Sequence, residues 1–66
     1  MKIREALTIA LRNQDAETCG RVADQLRARG WTYARILKLA QEIKPTLTPG
    51  DWDDLMVEAE EAEAYS

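Results

Sequence analysis

The sequence predicts an all-α protein, a compact bundle of four short helices forming one small domain over residues 1–66. Three observations carry this. Apolar residues recur at helical spacing (i, i+3, i+4, i+7) along most of the chain. Polar, glycine and proline residues interrupt that recurrence at Asn13-Gln14-Asp15, at Gly30 and around Pro45. There is no internal repeat, and no linker is long enough to separate two domains.

The first helix, about Lys2–Arg12, places Ile3, Leu7, Ala10 and Leu11 on one stripe. Asn13 or Asp15 can cap the next, since a short polar side chain accepts hydrogen bonds from the free N–H groups of a first turn. The second helix, about Asp15–Arg29, carries Cys19, Val22, Ala23 and Leu26 on its apolar side. Gly30 closes it where a left-handed residue is needed, and Arg27 and Arg29 suit the dipole of its last turn. Gly20, inside this helix, costs roughly 1 kcal/mol against alanine. It either permits close helix packing or weakens the first turns.

Thr32 is the expected N-cap of the third helix, about Tyr33–Lys44, with Trp31 and Ile36 at the spacing of a hydrophobic staple. Apolar residues at 33, 36, 37, 39, 40 and 43 cover nearly half its circumference, so it is expected to be the most buried helix. Pro45 stops it. Thr48 then caps the fourth helix, Pro49 takes its first position and Asp51 stands where a capping-box acid belongs. Leu47 and Trp52 repeat the staple spacing, and Trp52, Leu55, Met56 and Ala59 form the apolar stripe. Beyond Ala59 the stripe fades, and residues 59–66 read as an acidic tail that frays unless something basic holds it.

A domain of this size buries only about 60% of the surface its unfolded chain exposes. Ten of its thirty apolar residues are alanine, which contributes little buried area. Small scaffolds often add disulfides, metals or oligomerisation. With one cysteine and no histidine, the third is the expected supplement here. The lone Cys19 fits a reducing compartment, and neither a secretory signal nor an apolar run long enough to span a bilayer is evident. A soluble cytoplasmic protein is expected.

Charge is divided along the chain. Residues 1–44 hold nine basic and five acidic residues, whereas residues 45–66 hold seven acids and no base. Asp51, Asp53 and Asp54 sit at the start of helix four, where the dipole favours anions. Glu58, Glu60, Glu61 and Glu63 crowd its disfavoured end, which marks them as candidate partner-binding residues. Arg21, Arg35 and Lys38 are the expected exposed basic set opposite them. Ile9 and Val57 lie off the apolar stripes of their helices and are candidate interface residues.

Little here supports catalysis. Without histidine the usual general base near neutral pH is missing, and Cys19 lies on an apolar stripe, as a buried small hydrophobe does. Asp51, Asp54 and Glu58 share a helix face at i, i+3, i+7, an arrangement open to a hard cation. The helix dipole already accounts for the first two. No enzyme activity, cofactor or metal is expected.

The segment Val22–Ala40, with Leu26, Gly30, Thr32, Tyr33 and Ile36 in order, resembles part of many helix-turn-helix DNA-binding domains. The resemblance implies a helix-turn-helix-like shape. If helix three leads the motif, helix four would be the recognition helix, and its acids would be repelled by phosphates. If helix three is itself the recognition helix, Arg35, Lys38 and Gln41 point outward together as candidate DNA contacts.

The leading expectation is a small non-catalytic regulator or adaptor acting through protein–protein interaction, as a homodimer or on a larger protein. The alternatives are a DNA-binding regulator using helix three and an acidic inhibitor that mimics nucleic acid.

Overall fold

The computed structural model describes residues 2–65, which form four helices and no strand: α1 (Ile3–Arg12), α2 (Ala16–Ala28), α3 (Tyr33–Ile43) and α4 (Pro49–Ala64). The all-α reading holds, with the ends of α1, α2 and α3 and the start of α4 within one residue of those expected from spacing; α4 continues as helix to Ala64, beyond Ala59 where its apolar stripe fades.

The caps explain the ends. Asp15, rather than Asn13, caps α2: its carboxylate accepts from the Thr18 backbone N–H at 3.1 Å and from the Thr18 hydroxyl at 2.6 Å. Thr32 caps α3 by accepting from the Arg35 N–H at 3.2 Å. At α4 the capping box is complete, because the Asp51 N–H donates to Thr48 and the Thr48 N–H donates to the Asp51 carboxylate.

Two helices end in the same closing turn. At the end of α2, the Trp31 N–H donates to the Leu26 carbonyl and the Gly30 N–H to that of Arg27, with Gly30 at φ 92°. At the end of α1, the Asp15 N–H donates to the Ala10 carbonyl and the Gln14 N–H to that of Leu11. Here the left-handed residue is Gln14, at φ 53°. Glycine reaches this region without a Cβ penalty; glutamine does not.

The core gathers Leu7 and Leu11 from α1, Cys19, Val22, Ala23 and Leu26 from α2, Ile36 and Ala40 from α3, and Trp52 from α4. Leu47 closes it from the loop before α4. All of these except Trp52 are aliphatic or thiol side chains. The Trp52 indole N–H is buried without a hydrogen-bond partner.

Contrary to the expectation from its wheel, α3 is not the most buried helix. It buries Ile36 and Ala40 fully, leaves Leu37, Leu39 and Ile43 half-covered and exposes Tyr33. The most buried helix is α2, with Ala16, Cys19, Gly20, Val22, Ala23 and Leu26 inside. The reason is topological. Helix α2 is packed on by α1, α3 and, most extensively, α4, whereas α4 barely reaches α3. An apolar arc spanning half a helix needs extensive cover, and α3 touches α1 and α2 only lightly.

Gly20 resolves in favour of close packing. A Cβ built at Gly20 would stand 2.6 Å from the Ala59 Cβ, far inside ordinary contact. The small pair Gly20–Ala59 thus sets how near α2 and α4 lie.

Candidate functional site

Helix α4 builds the most distinctive surface. Its inner side is fixed by Trp52 and Ala59, both buried, with Leu55 and Met56 packed at the core edge. Helical geometry then turns Val57 about 150° away from that side. Val57 is 54% exposed. Its neighbours at i−4, i−3, i+3 and i+4 are Asp53, Asp54, Glu60 and Glu61, so an apolar side chain stands within a ring of four carboxylates.

The seven acids of this helix are not equivalent. Asp51 belongs to the capping box, and its hydrogen bonds with Thr48 hold its carboxyl below the ordinary carboxylate range. Asp53 accepts a hydrogen bond from the Tyr33 hydroxyl, the one polar tie between α3 and α4 side chains among the described residues, which pushes the phenol's pKa up. Glu60 and Glu63 border a shallow cleft against α2, where Gly20, Asp24 and Arg27 face them. Asp54, Glu58 and Glu61 are exposed and make no ion pair among the described residues. The helix runs without interruption through Glu60–Glu61–Ala62–Glu63–Ala64 to its C-cap at Tyr65.

The basic set stands differently from its sequence expectation. Arg21 pairs with Glu17 of its own helix, and the Arg35 guanidinium lies over the Trp31 ring, 3.9 Å from its centroid. The base that shares a cleft with Glu60 and Glu63 is instead Arg27, which also bridges Asp24 at 3.4 Å. Its signal was present in the sequence: Gly20, Asp24 and Arg27 are spaced i, i+4, i+7, and the glycine marks the face that meets α4.

The three candidate DNA contacts do not act alike. Lys38 is exposed, and Arg35 is exposed but stacked. Gln41 is half-buried and donates from Nε2 to the Leu47 carbonyl at 3.3 Å, so it holds the turn before α4 rather than pointing outward with the other two. Ile9 is 49% exposed and lies with Arg4, Glu5 and Thr8 on the outer side of α1. Ile9 borders a shallow cleft on α1 that Val57 does not line.

Asp51, Asp54 and Glu58 do share a cleft of about 350 Å³, together with Leu11, Gln14, Lys44, Leu47 and Leu55. Among the described residues no group of three or more His, Cys, Asp or Glu side chains is placed to hold a metal ion. Lys44 stands in the same cleft, and Asp51 is already engaged by Thr48. Cys19 is fully buried, and burial, followed by the nearby Asp15 carboxylate, pushes its thiol up to about 11, which leaves it protonated and unreactive. No described helix is long and apolar enough to cross a membrane.

No protein-family model, curated protein or solved structure matches this chain.

Proposed function

We propose that this protein is a small non-catalytic regulator or adaptor that acts by protein–protein contact through the outer face of α4. The observation that carries this reading is Val57, half-exposed at the centre of Asp53, Asp54, Glu60 and Glu61. An apolar centre within a charged rim is the anatomy of a docking patch: the centre gains from desolvation, and the rim steers the encounter. The rim carries one sign, so the complementary surface is basic.

The DNA-binding reading through α3 has weaker support, since Gln41 is occupied by Leu47 and the guanidinium of Arg35 by Trp31. The nucleic-acid-mimic reading uses the same α4 acids but gives Val57 no role.

A photo-crosslinking side chain at position 57 tests the proposal. Irradiation in a lysate of the native host is expected to give a discrete adduct, either with a second copy or with another protein, that is lost at high salt. The same side chain at Ala34, exposed on α3, should give none. Equal labelling from both positions, or none from position 57, would refute it.

A further inference from the structure

Two large aliphatic side chains stand out into solvent among the described residues, Ile9 on α1 at 49% exposure and Val57 on α4 at 54%. Their surroundings carry opposite charge. Around Val57 are Asp53, Asp54, Glu60 and Glu61. The segment 2–12 that carries Ile9 holds Lys2, Arg4 and Arg12 against a single acid, Glu5. Ile9 also borders a shallow cleft of about 320 Å³ with Arg4, Glu5 and Thr8, lined mainly by apolar surface. The cleft has room for a branched aliphatic side chain.

We propose that its occupant is Val57 of a second copy of this chain. The proposal rests on the α4 reading and names the partner of that face. Ile9 and Val57 do not cover each other within one chain, since α1 and α4 both pack on α2 and scarcely touch each other. Two α4 faces do not pair either, because four carboxylates from each copy would then oppose one another with no base between them. Against α1 the same acids find cations.

The spacing of the charges agrees. Arg4 and Arg12 bracket Ile9 at a separation of about 12 Å along the helix axis, and Asp54 and Glu61 bracket Val57 at about 10.5 Å. Arg12, Asp54 and Glu61 make no ion pair among the described residues. Arg4 reaches Glu42 at 3.6 Å, with both side chains more than half exposed, so that pair is weak enough to yield. Each copy thus offers one face and receives another. Such a contact is heterologous, and it covers apolar surface that a thin core leaves open.

Sedimentation velocity of the intact chain over a concentration series is the test. The parent should associate at low salt and return to a 7.5 kDa monomer at high salt. Ile9→Gln and Val57→Gln, at exposed positions, should each weaken association about tenfold while keeping the parent's circular dichroism. Mixed in equal amounts, the two variants should form a 1:1 pair and nothing larger, since one keeps an intact α4 face and the other an intact α1 face. Arg12→Glu should also weaken association, which apolar packing alone would not give. A parent that stays monomeric, a variant that associates as the parent does, or a mixture that fails to pair would overturn the proposal. A monomeric parent whose position 57 still crosslinks another protein would leave the α4 reading intact. A monomer with no adduct from position 57 would remove both.

Discussion

Replacing Gly20 by alanine separates two physical accounts by the sign of one measurement. At an open position in a helix interior, glycine to alanine stabilises by about 1 kcal/mol, because alanine loses less backbone entropy. At Gly20 the added Cβ would stand 2.6 Å from the Ala59 Cβ. Carbon atoms in contact prefer about 3.5–4.0 Å, so α2 and α4 must separate by roughly 1 Å. Forcing an extra carbon into a packed interface costs about 1–3 kcal/mol. Against the propensity gain, the net is about 1 kcal/mol of destabilisation with a range of roughly 0–2. For a domain of this size that is a drop in Tm of about 4–8 °C per kcal/mol. In an Ala59→Gly background the obstruction is gone, and Gly20→Ala should stabilise by up to about 1 kcal/mol. Thermal and urea melts followed by circular dichroism complete the double-mutant cycle, with a coupling of about 2 kcal/mol expected. A rise in Tm for Gly20→Ala in the parent chain would refute the close α2–α4 approach.

Four further outcomes are expected. Gln14→Gly should raise stability by about 0.5–1 kcal/mol by relieving a left-handed glutamine, whereas Gly30→Ala should cost about 1–2 kcal/mol although nothing obstructs its Cβ; urea midpoints decide both. Cys19 should resist thiol reagents at pH 8 in the native state and react at a rate set by opening of the fold, so that labelling speeds up with added urea. Asp15 and Asp51 ionise in the folded state below their ordinary value of 3.8, so the stability they confer is complete above that value and lost as pH falls through the lowered one. Asp51→Asn should therefore flatten the acid limb of a Tm-against-pH curve. Glu61→Gln should stabilise by a few tenths of a kcal/mol at low salt, by removing an anion from a helix C-terminus, and the gain should vanish at high salt.

The sequence is most legible where the physics is local. Asp15, Thr32, Thr48 and Gly30 each act within a few residues of their partners, and helix ends followed from them. It is least legible where the physics depends on which helix lies against which. Helix α3 and helix α2 both carry apolar stripes, and the one on α3 is wider. Only the packing of α4 onto α2 decides that α2 is enclosed and Tyr33 is not. Gly20 held a trace of that packing, because a glycine inside a helix is a cost that close approach offsets. Gln14 left no trace, since nothing in the residue type marks a left-handed turn. Of the candidate surfaces, the exposure of Val57 and Ile9 followed from their wheels, whereas the engagement of Gln41 by Leu47 and the position of Arg27 required tertiary structure.

The divided charge gains meaning once the acids are sorted by what they do. Asp51 and Asp53 serve the fold, one as a cap and one as the acceptor for Tyr33. Glu60 and Glu63 border α2 beside Arg27. Asp54, Glu58 and Glu61 do none of this, and the last two lie in the half of the helix where the dipole opposes them. A small domain with a thin core has little stability to spare, so carboxylates that oppose the dipole and contribute no internal contact are a local rule broken without a structural gain. Such violations concentrate where a protein meets something else. Asp54 and Glu61, at i−3 and i+4, flank Val57 on one side. The acids that folding does not use therefore include two that flank Val57, where the basic partner proposed for α4 would meet them.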